Sequence, residues 1–361
     1  MDLQEATVTK ALGGFYFVHA SGQVIRCVLR GRLKKAASGK AQGRLRSGAG
    51  QAGRQDEEPS AEERAGRGSA LRQSQTPQGH LRHGARAKTT SPVVPGDRVR
   101  FRTVGSAEGV IEEILPRSTE LVKASPRDPL VHQVLAANVD QAIVVAAVRD
   151  PEPHPHIIDR WLVLAEACGL QPVMCINKID LADPAPLAGR YAGTGYPILP
   201  TSAATGEGLD ALRGRMTGRI SVLVGSSGVG KSSLLNALQP GLTLRVGDIA
   251  AKSRRGRHTT TTAELVPLDF GGYVVDTPGV QVLEMTHLDP VVLPGCFPEF
   301  EPLVPQCDYP DCRHLVEPGC AVRAAVEAGG LHPERYASYR AMAERVEPRK
   351  RTLVSPADRR A

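Results

Sequence analysis

The 361-residue chain carries 45 Lys and Arg against 38 Asp and Glu, a formal charge of +7. That length allows two or three domains with cores of their own. No apolar run reaches the roughly 18 residues a membrane span needs, and residues 1–5 do not read as a signal peptide, so a soluble cytoplasmic protein is expected. The 7 cysteines, three of them grouped between residues 307 and 320, suit a reducing compartment with one metal site better than a disulfide framework.

In chain order, residues 6 to 30 alternate between polar and β-branched or aromatic positions, and the pattern resumes at 95–101 and 109–114. Five short strands with glycine turns predict a small barrel of the oligonucleotide-binding type over residues 1–118, acting as a binding module or only packing on its neighbour. Within it, residues 36–91 hold few large apolar side chains, which predicts a disordered insertion. From Gly31 to Ser91 there are 13 Lys/Arg and 5 Asp/Glu, so this segment supplies the chain's positive excess. Such a segment either contacts RNA phosphates or is a solvated spacer.

From Asn138 strands and helices alternate, the mark of a parallel sheet covered by helices, and residues 130–288 are read as one α/β domain. Its centre is Gly225-Ser226-Ser227-Gly228-Val229-Gly230-Lys231-Ser232, followed by Ser233. A buried strand runs into this loop and a helix leaves it. Backbone N–H groups at the helix start meet phosphate oxygens, Lys231 reaches the β/γ-phosphates, and the Ser232 hydroxyl ligates Mg²⁺. The alternative, a plain glycine-rich turn, lacks a reason for both flanking elements.

Asn177-Lys178-Ile179-Asp180 ends another buried strand, where open α/β sheets place ligand contacts. The Asp180 carboxylate can accept from guanine N1–H and the exocyclic amine, while Asn177 holds loop and base edge. After Thr201-Ser202, the Ala203 N–H is expected to meet guanine O6. Alone this loop would be weak evidence; beside the phosphate loop it selects GTP over ATP. Asp276-Thr277-Pro278-Gly279 ends a further strand. Asp276 is placed to bind Mg²⁺ and the Gly279 N–H to meet the γ-phosphate. Val280 follows, and a valine cannot orient water. Between lies Lys252–Thr262, the place of a mobile switch: Thr260 is the candidate Mg²⁺ ligand, and His258 either orients the attacking water or contacts RNA or solvent.

Cys307-x4-Cys312-x-His314-x5-Cys320 offers four soft ligands within 14 residues, enough to close one structural Zn²⁺ site in a helical module over residues 289–361 with a basic tail; a disulfide pair is the alternative. Cys296 stands outside the pattern.

The guanine motifs precede the phosphate loop, whereas ordinary GTPases have them after it. This order is a circular permutation, which neighbouring termini tolerate. With the Arg-His-Thr-Thr-Thr run at 257–261, Asn138-Val139-Asp140-Gln141-Ala142 and the Cys/His spacing, the chain resembles the family of ribosome small-subunit-dependent GTPases A (RsgA). The resemblance implies an N-terminal barrel, a permuted GTPase domain, a C-terminal zinc module and a catalytic role for His258. It also implies a ribosome-stimulated GTP hydrolase acting late in maturation of the small (30S) subunit and binding its 16S rRNA. A monomer and no membrane partner are expected. The rival reading is a GTP-gated rRNA-binding module whose turnover is incidental. The 36–91 insertion departs from the family pattern.

Overall fold

The computed structural model describes residues 3–20, 22–31, 33, 86–87, 92–105, 107–124, 131–242, 263–276 and 290–345. Within these the barrel is built as the alternation requires. Strands β1 (Gln4–Leu12), β2 (Phe15–Ala20), β3 (Gln23–Leu29), β5 (Arg98–Thr103) and β6 (Glu108–Ile114) run β1-β2-β3-β6-β5 and close through a β1–β5 pairing. Val8, Val18, Cys27, Phe101 and Ile111 fill its centre, all fully buried. Closure removes the unpaired edge that an open sheet of this size would expose.

Of the 36–91 insertion only Arg86–Ala87 is described with its secondary structure, as the two-residue strand β4; the rest, and with it the expected disorder, lies outside the described residues. β4 pairs with β8 (Val131–Ala137), which pairs with β7 (Glu120–Ala124). Strands β7 and β8 of this small second sheet lie within residues 120–137, between the barrel and the first strand of the α/β sheet.

The α/β domain follows from fully buried strands covered on both faces. Its parallel strands are β9 (Gln141–Ala147), β10 (Gln171–Asn177), β11 (Ile198–Pro200), β12 (Ile220–Val224) and β14 (Tyr273–Asp276), with β13 (Glu264–Pro267) antiparallel beside β14. The spatial order is β11-β10-β9-β12-β14-β13. The phosphate-loop strand β12 thus sits at the centre, although the chain enters the sheet at β9, which is what a permuted GTPase requires. One face packs Leu162, Met174, Ile176 and Val222; the other packs Ile143, Val173, Leu212, Leu234 and Val274. Helix α1 (Pro155–Ala167) starts with Pro at its first turn, where the missing N–H costs nothing. The others in this domain are α2 (Ala185–Tyr191), α3 (Leu209–Met216) and α4 (Lys231–Leu238).

The C-terminal module consists of short 3₁₀ turns and two helices, α5 (Ala321–Glu327) and α6 (Pro333–Arg345). Its core of Phe297, Phe300, Val322, Tyr339 and Met342 also takes in Val163 and Ala167 of α1, so the module is packed onto the α/β domain. At the other end the barrel strand β1 pairs with β13, and the two sheets become one 11-stranded sheet. Among the described residues no helix is long and apolar enough to cross a membrane.

Candidate functional site

The parallel strands bring their carboxyl ends to one edge of the sheet, and four motifs far apart in sequence meet there. β12 delivers the loop 225–230 to the start of α4. Gly225 has a φ of 141°, and a Cβ there would lie 2.2 Å from the Val145 carbonyl oxygen, so only glycine fits. Gly230 (φ 97°) has the same need: a Cβ would stand 2.2 Å from Asn177 Nδ2. The Lys231 ammonium donates to the carbonyls of Gly225 (2.9 Å) and Ser226 (2.7 Å), which holds it across the loop. Burial lowers its pKa. Ser232 and Ser233 follow in the first turn of α4, whose N–H groups have no helical acceptor.

Asn177, at the end of β10 and 1% exposed, ties the motifs together. Its Nδ2 donates to the Val229 carbonyl in the phosphate loop at 2.9 Å. Its Oδ1 accepts from the Ala203 N–H at 3.2 Å and the Thr201 hydroxyl at 3.4 Å. The Ala203 N–H, expected at guanine O6, is therefore engaged with Asn177 in this structure. Ser202 donates to the Asp180 carboxylate at 2.5 Å, which fixes the acid at the end of the Asn177–Asp180 loop. Lys178 takes a left-handed backbone (φ 65°) and donates to the Asp150 carbonyl.

Sequence reasoning missed that last contact. Asp150-Pro151 reads only as a turn after β9, yet Pro151 also sits 3.6 Å from where a Gly228 Cβ would be. Cys175 lies in the same strand as Asn177, β10. Its sulfur lies 3.3 Å from the Thr201 hydroxyl, and burial pushes the thiol up to about 11, so it packs and does not act as a nucleophile.

Asp276 ends β14, 7% exposed, in register with Glu264 of β13. A buried carboxylate and the Ser232 hydroxyl at this edge are the hard oxygen donors that a Mg²⁺·triphosphate takes. His258, Thr260, Gly279 and Val280 lie outside the described residues.

In the C-terminal module Cys307, Cys312, His314 and Cys320 gather so that their ligand atoms all lie within 4.8 Å of one another. His314 Nδ1 is 3.6 Å from Cys307 Sγ and 3.4 Å from Cys320 Sγ. A tetrahedral zinc with ordinary Zn–S and Zn–N bonds sets that edge at about 3.6 Å. All the cysteines are free, so the disulfide alternative fails, and Cys296 stays outside the cluster as expected. The ligand loop is braced by Glu317. Desolvation would raise its carboxyl, but backbone N–H groups, including those of Leu315, Arg313 and Val316, outweigh it and hold the group at about 2. The cluster suits a metal that staples the module, with no position left open for chemistry.

The chain matches the family model described as RsgA GTPase over residues 114–286 and that described as RsgA N-terminal domain over residues 5–46. A small ribosomal subunit biogenesis GTPase RsgA of Moorella thermoacetica is 38% identical over 351 residues, spanning 97% of this chain and 99% of that protein. The protein of the same description from Gemmatimonas aurantiaca is 46% identical over 265 residues, 72% of this chain and 85% of the relative. Among solved structures, YjeQ from Thermotoga maritima superposes with a TM-score of 0.68 at 35% identity, covering 95% of this chain and 98% of that one. YloQ, described as a circularly permuted GTPase, gives 0.65 at 29% identity and 95% coverage of both. Likeness in sequence and in fold over nearly the whole length leaves one assignment: this chain belongs to the RsgA family and is a GTP hydrolase of small ribosomal subunit biogenesis.

Proposed function

We propose that GTP lies along the carboxyl edge of the sheet with its base on the Asn177–Asp180 loop and its phosphates on residues 225–233. The observation that carries this reading is the Asn177 side chain, bonded at once to the phosphate loop and to the Thr201–Ala203 turn. Asp180 reads the guanine N1–H and amine; Lys178 and Ser202 hold its loop; the Ala203 N–H turns from Asn177 to guanine O6. Lys231 and the N–H groups of residues 226–233 hold the phosphates. Ser232, Asp276 and Thr260 hold Mg²⁺, which when bound neutralises charge on the β- and γ-oxygens. The Gly279 N–H meets the γ-phosphate.

His258 orients the attacking water, since Val280 cannot, and docking on the small subunit's 16S rRNA brings it into place. The four Cys/His ligands hold one structural Zn²⁺ per chain. The working form is a cytoplasmic monomer with no membrane partner. Its domains span 1–118, with the basic 36–91 insertion as a further rRNA contact, then 130–288 and 289–361.

The test is GTP turnover by the wild type and by Asp180→Asn, each with and without purified 30S subunits. We expect stimulation of the wild type by the subunits, and loss of guanine selection in the variant. Turnover that 30S subunits leave unchanged would favour an rRNA-binding module with incidental hydrolysis.

A further inference from the structure

The barrel meets the nucleotide edge at a single row of charges. Lys10 of β1 is in register with Glu264 of β13, and Glu264 is in register with Asp276 of β14. Directly opposed residues on neighbouring strands project to the same face, with Cβ atoms about 5 Å apart. The row therefore reads cation, anion, anion across three strands. The face is the one that looks toward the phosphate-loop helix: Val274, two residues before Asp276 and so on the same side of β14, belongs with Leu234 and Leu235 of α4 in one cluster. Leu265 and Val275 point to the opposite face.

The Lys10 ammonium takes the Glu264 carboxylate at 2.9 Å, with side chains 28% and 31% exposed. The barrel also grips the far end of β14, where Tyr273 and His19 Nδ1 share a 2.8 Å hydrogen bond. Two carboxylates side by side near a Mg²⁺·triphosphate are a hazard. The second acid competes to ligate the cation and repels the γ-phosphate. Among the described residues, Glu264 forms its ion pair with Lys10, and that lysine comes from another domain.

We propose that Lys10 is a positioning residue of the GTPase reaction: by holding Glu264 it leaves Asp276 as the one acidic ligand at the end of β14. This rests on the reading of Asp276 as a Mg²⁺ ligand. The barrel thereby adjusts the cation site across a strand pair, without touching nucleotide.

The test uses the full-length chain and follows GTP turnover while Mg²⁺ is titrated, for Lys10→Met, Lys10→Arg and Lys10→Met/Glu264→Gln. In Lys10→Met the released carboxylate binds the cation out of place. Half-saturating Mg²⁺ is then expected to fall about 3- to 10-fold while kcat also falls about 10-fold. A merely loosened junction would weaken both affinity and turnover. Lys10→Arg and the double variant are expected within about 2-fold of wild type, because each leaves Glu264 either paired or neutral. Wild-type behaviour of Lys10→Met, or a loss that Glu264→Gln does not restore, overturns the proposal. Asp276→Asn is run beside them: if it titrates Mg²⁺ and turns over like wild type, the reading of Asp276 fails, an outcome distinct from failure of the Lys10 role.

Discussion

The GTPase domain is gripped from two sides by different chemistry. On the barrel side the polar contacts of β1 and β2 with β13 and β14 are one registered residue pair, one partly exposed ion pair and one His–Tyr hydrogen bond, beside a small apolar cluster of Val94, Val134 and Ala137 and a 2.8 Å hydrogen bond from Asn138 Nδ2 to the Gly96 carbonyl. On the C-terminal side it is a buried core. Arg335 of α6, 2% exposed, donates to Asp159 of α1 at 2.8 Å and to Glu299 at 2.7 Å, and its guanidinium lies 4.4 Å over the Phe297 ring. Arg190 and the Tyr191 hydroxyl reach Asp159 from α2. Burial opposes the charge on Arg335, but Glu299 and Asp159 outweigh it and keep it cationic. A half-exposed pair is screened and replaceable; a desolvated one cannot let go of a partner without stranding a charge. The zinc module is thus bolted to the α/β domain through desolvated charge, while the contacts of β1 and β2 with β13 and β14 are half-exposed polar ones that water can replace.

The largest effect that would break this contrast comes from Arg335→Met. Glu299 would remain buried without its cation and Asp159 would keep only Arg190, and a loss of about 3–5 kcal/mol in urea unfolding is expected. A loss under about 1 kcal/mol would mean that water reaches the cluster and that the C-terminal junction is no firmer than the other.

The contrast also marks what the sequence could reveal. The phosphate loop, Asn177–Asp180, Thr201–Ala203 and the Cys/His group are short strings whose chemistry is local, so spacing alone exposes them. The Asp159–Arg335–Glu299 cluster joins residues 176 and 36 positions apart, and nothing in α1 announces that Asp159 is paired and not solvated. The β7–β8 hairpin was hidden by Ser125-Pro126-Arg127-Asp128-Pro129, which punctuates like a linker. Helix α2 holds Pro186 and Gly189, poor helix formers, and is set by the Asp183 carboxylate accepting the Ala185 N–H and by packing of Tyr191. The β1–β13 pairing that fuses barrel and GTPase sheet has no local signature at all. It depends on strands more than 250 residues apart finding one register.

A second, smaller test bears on the buried side alone. Burial raises the Glu166 carboxyl to about 7, with Glu299 adding to the shift and Tyr196 and Arg335 opposing it. A carboxyl raised above its ordinary value stabilises the fold while protonated. That contribution is complete below about 4.5 and is lost as pH climbs through about 7. Glu166→Gln is expected to match wild type at pH 4.5 and to exceed it by about 2 kcal/mol at pH 8, measured by urea unfolding at the two values. Equal stability at pH 8 would place Glu166 in water and remove it from the bolt.

The smallest expected effect lies at the barrel junction and sharpens the comparison most directly. Tyr273→Phe deletes the hydroxyl that meets His19 and keeps the ring at the start of β14. Both groups are only partly buried, so water can take the place of the lost partner, and the cost should be about 1 kcal/mol or less. Because the two junctions sit on opposite sides of the GTPase domain and share no partner among the contacts above, the losses of Tyr273→Phe and Arg335→Met should add to within about 0.5 kcal/mol in the double variant. Additivity would show a GTPase domain whose two flanks are energetically separate. A coupling above about 1 kcal/mol would instead mean that strain passes through the sheet from β14 to α1, and the weak junction would then be one end of a single mechanical unit.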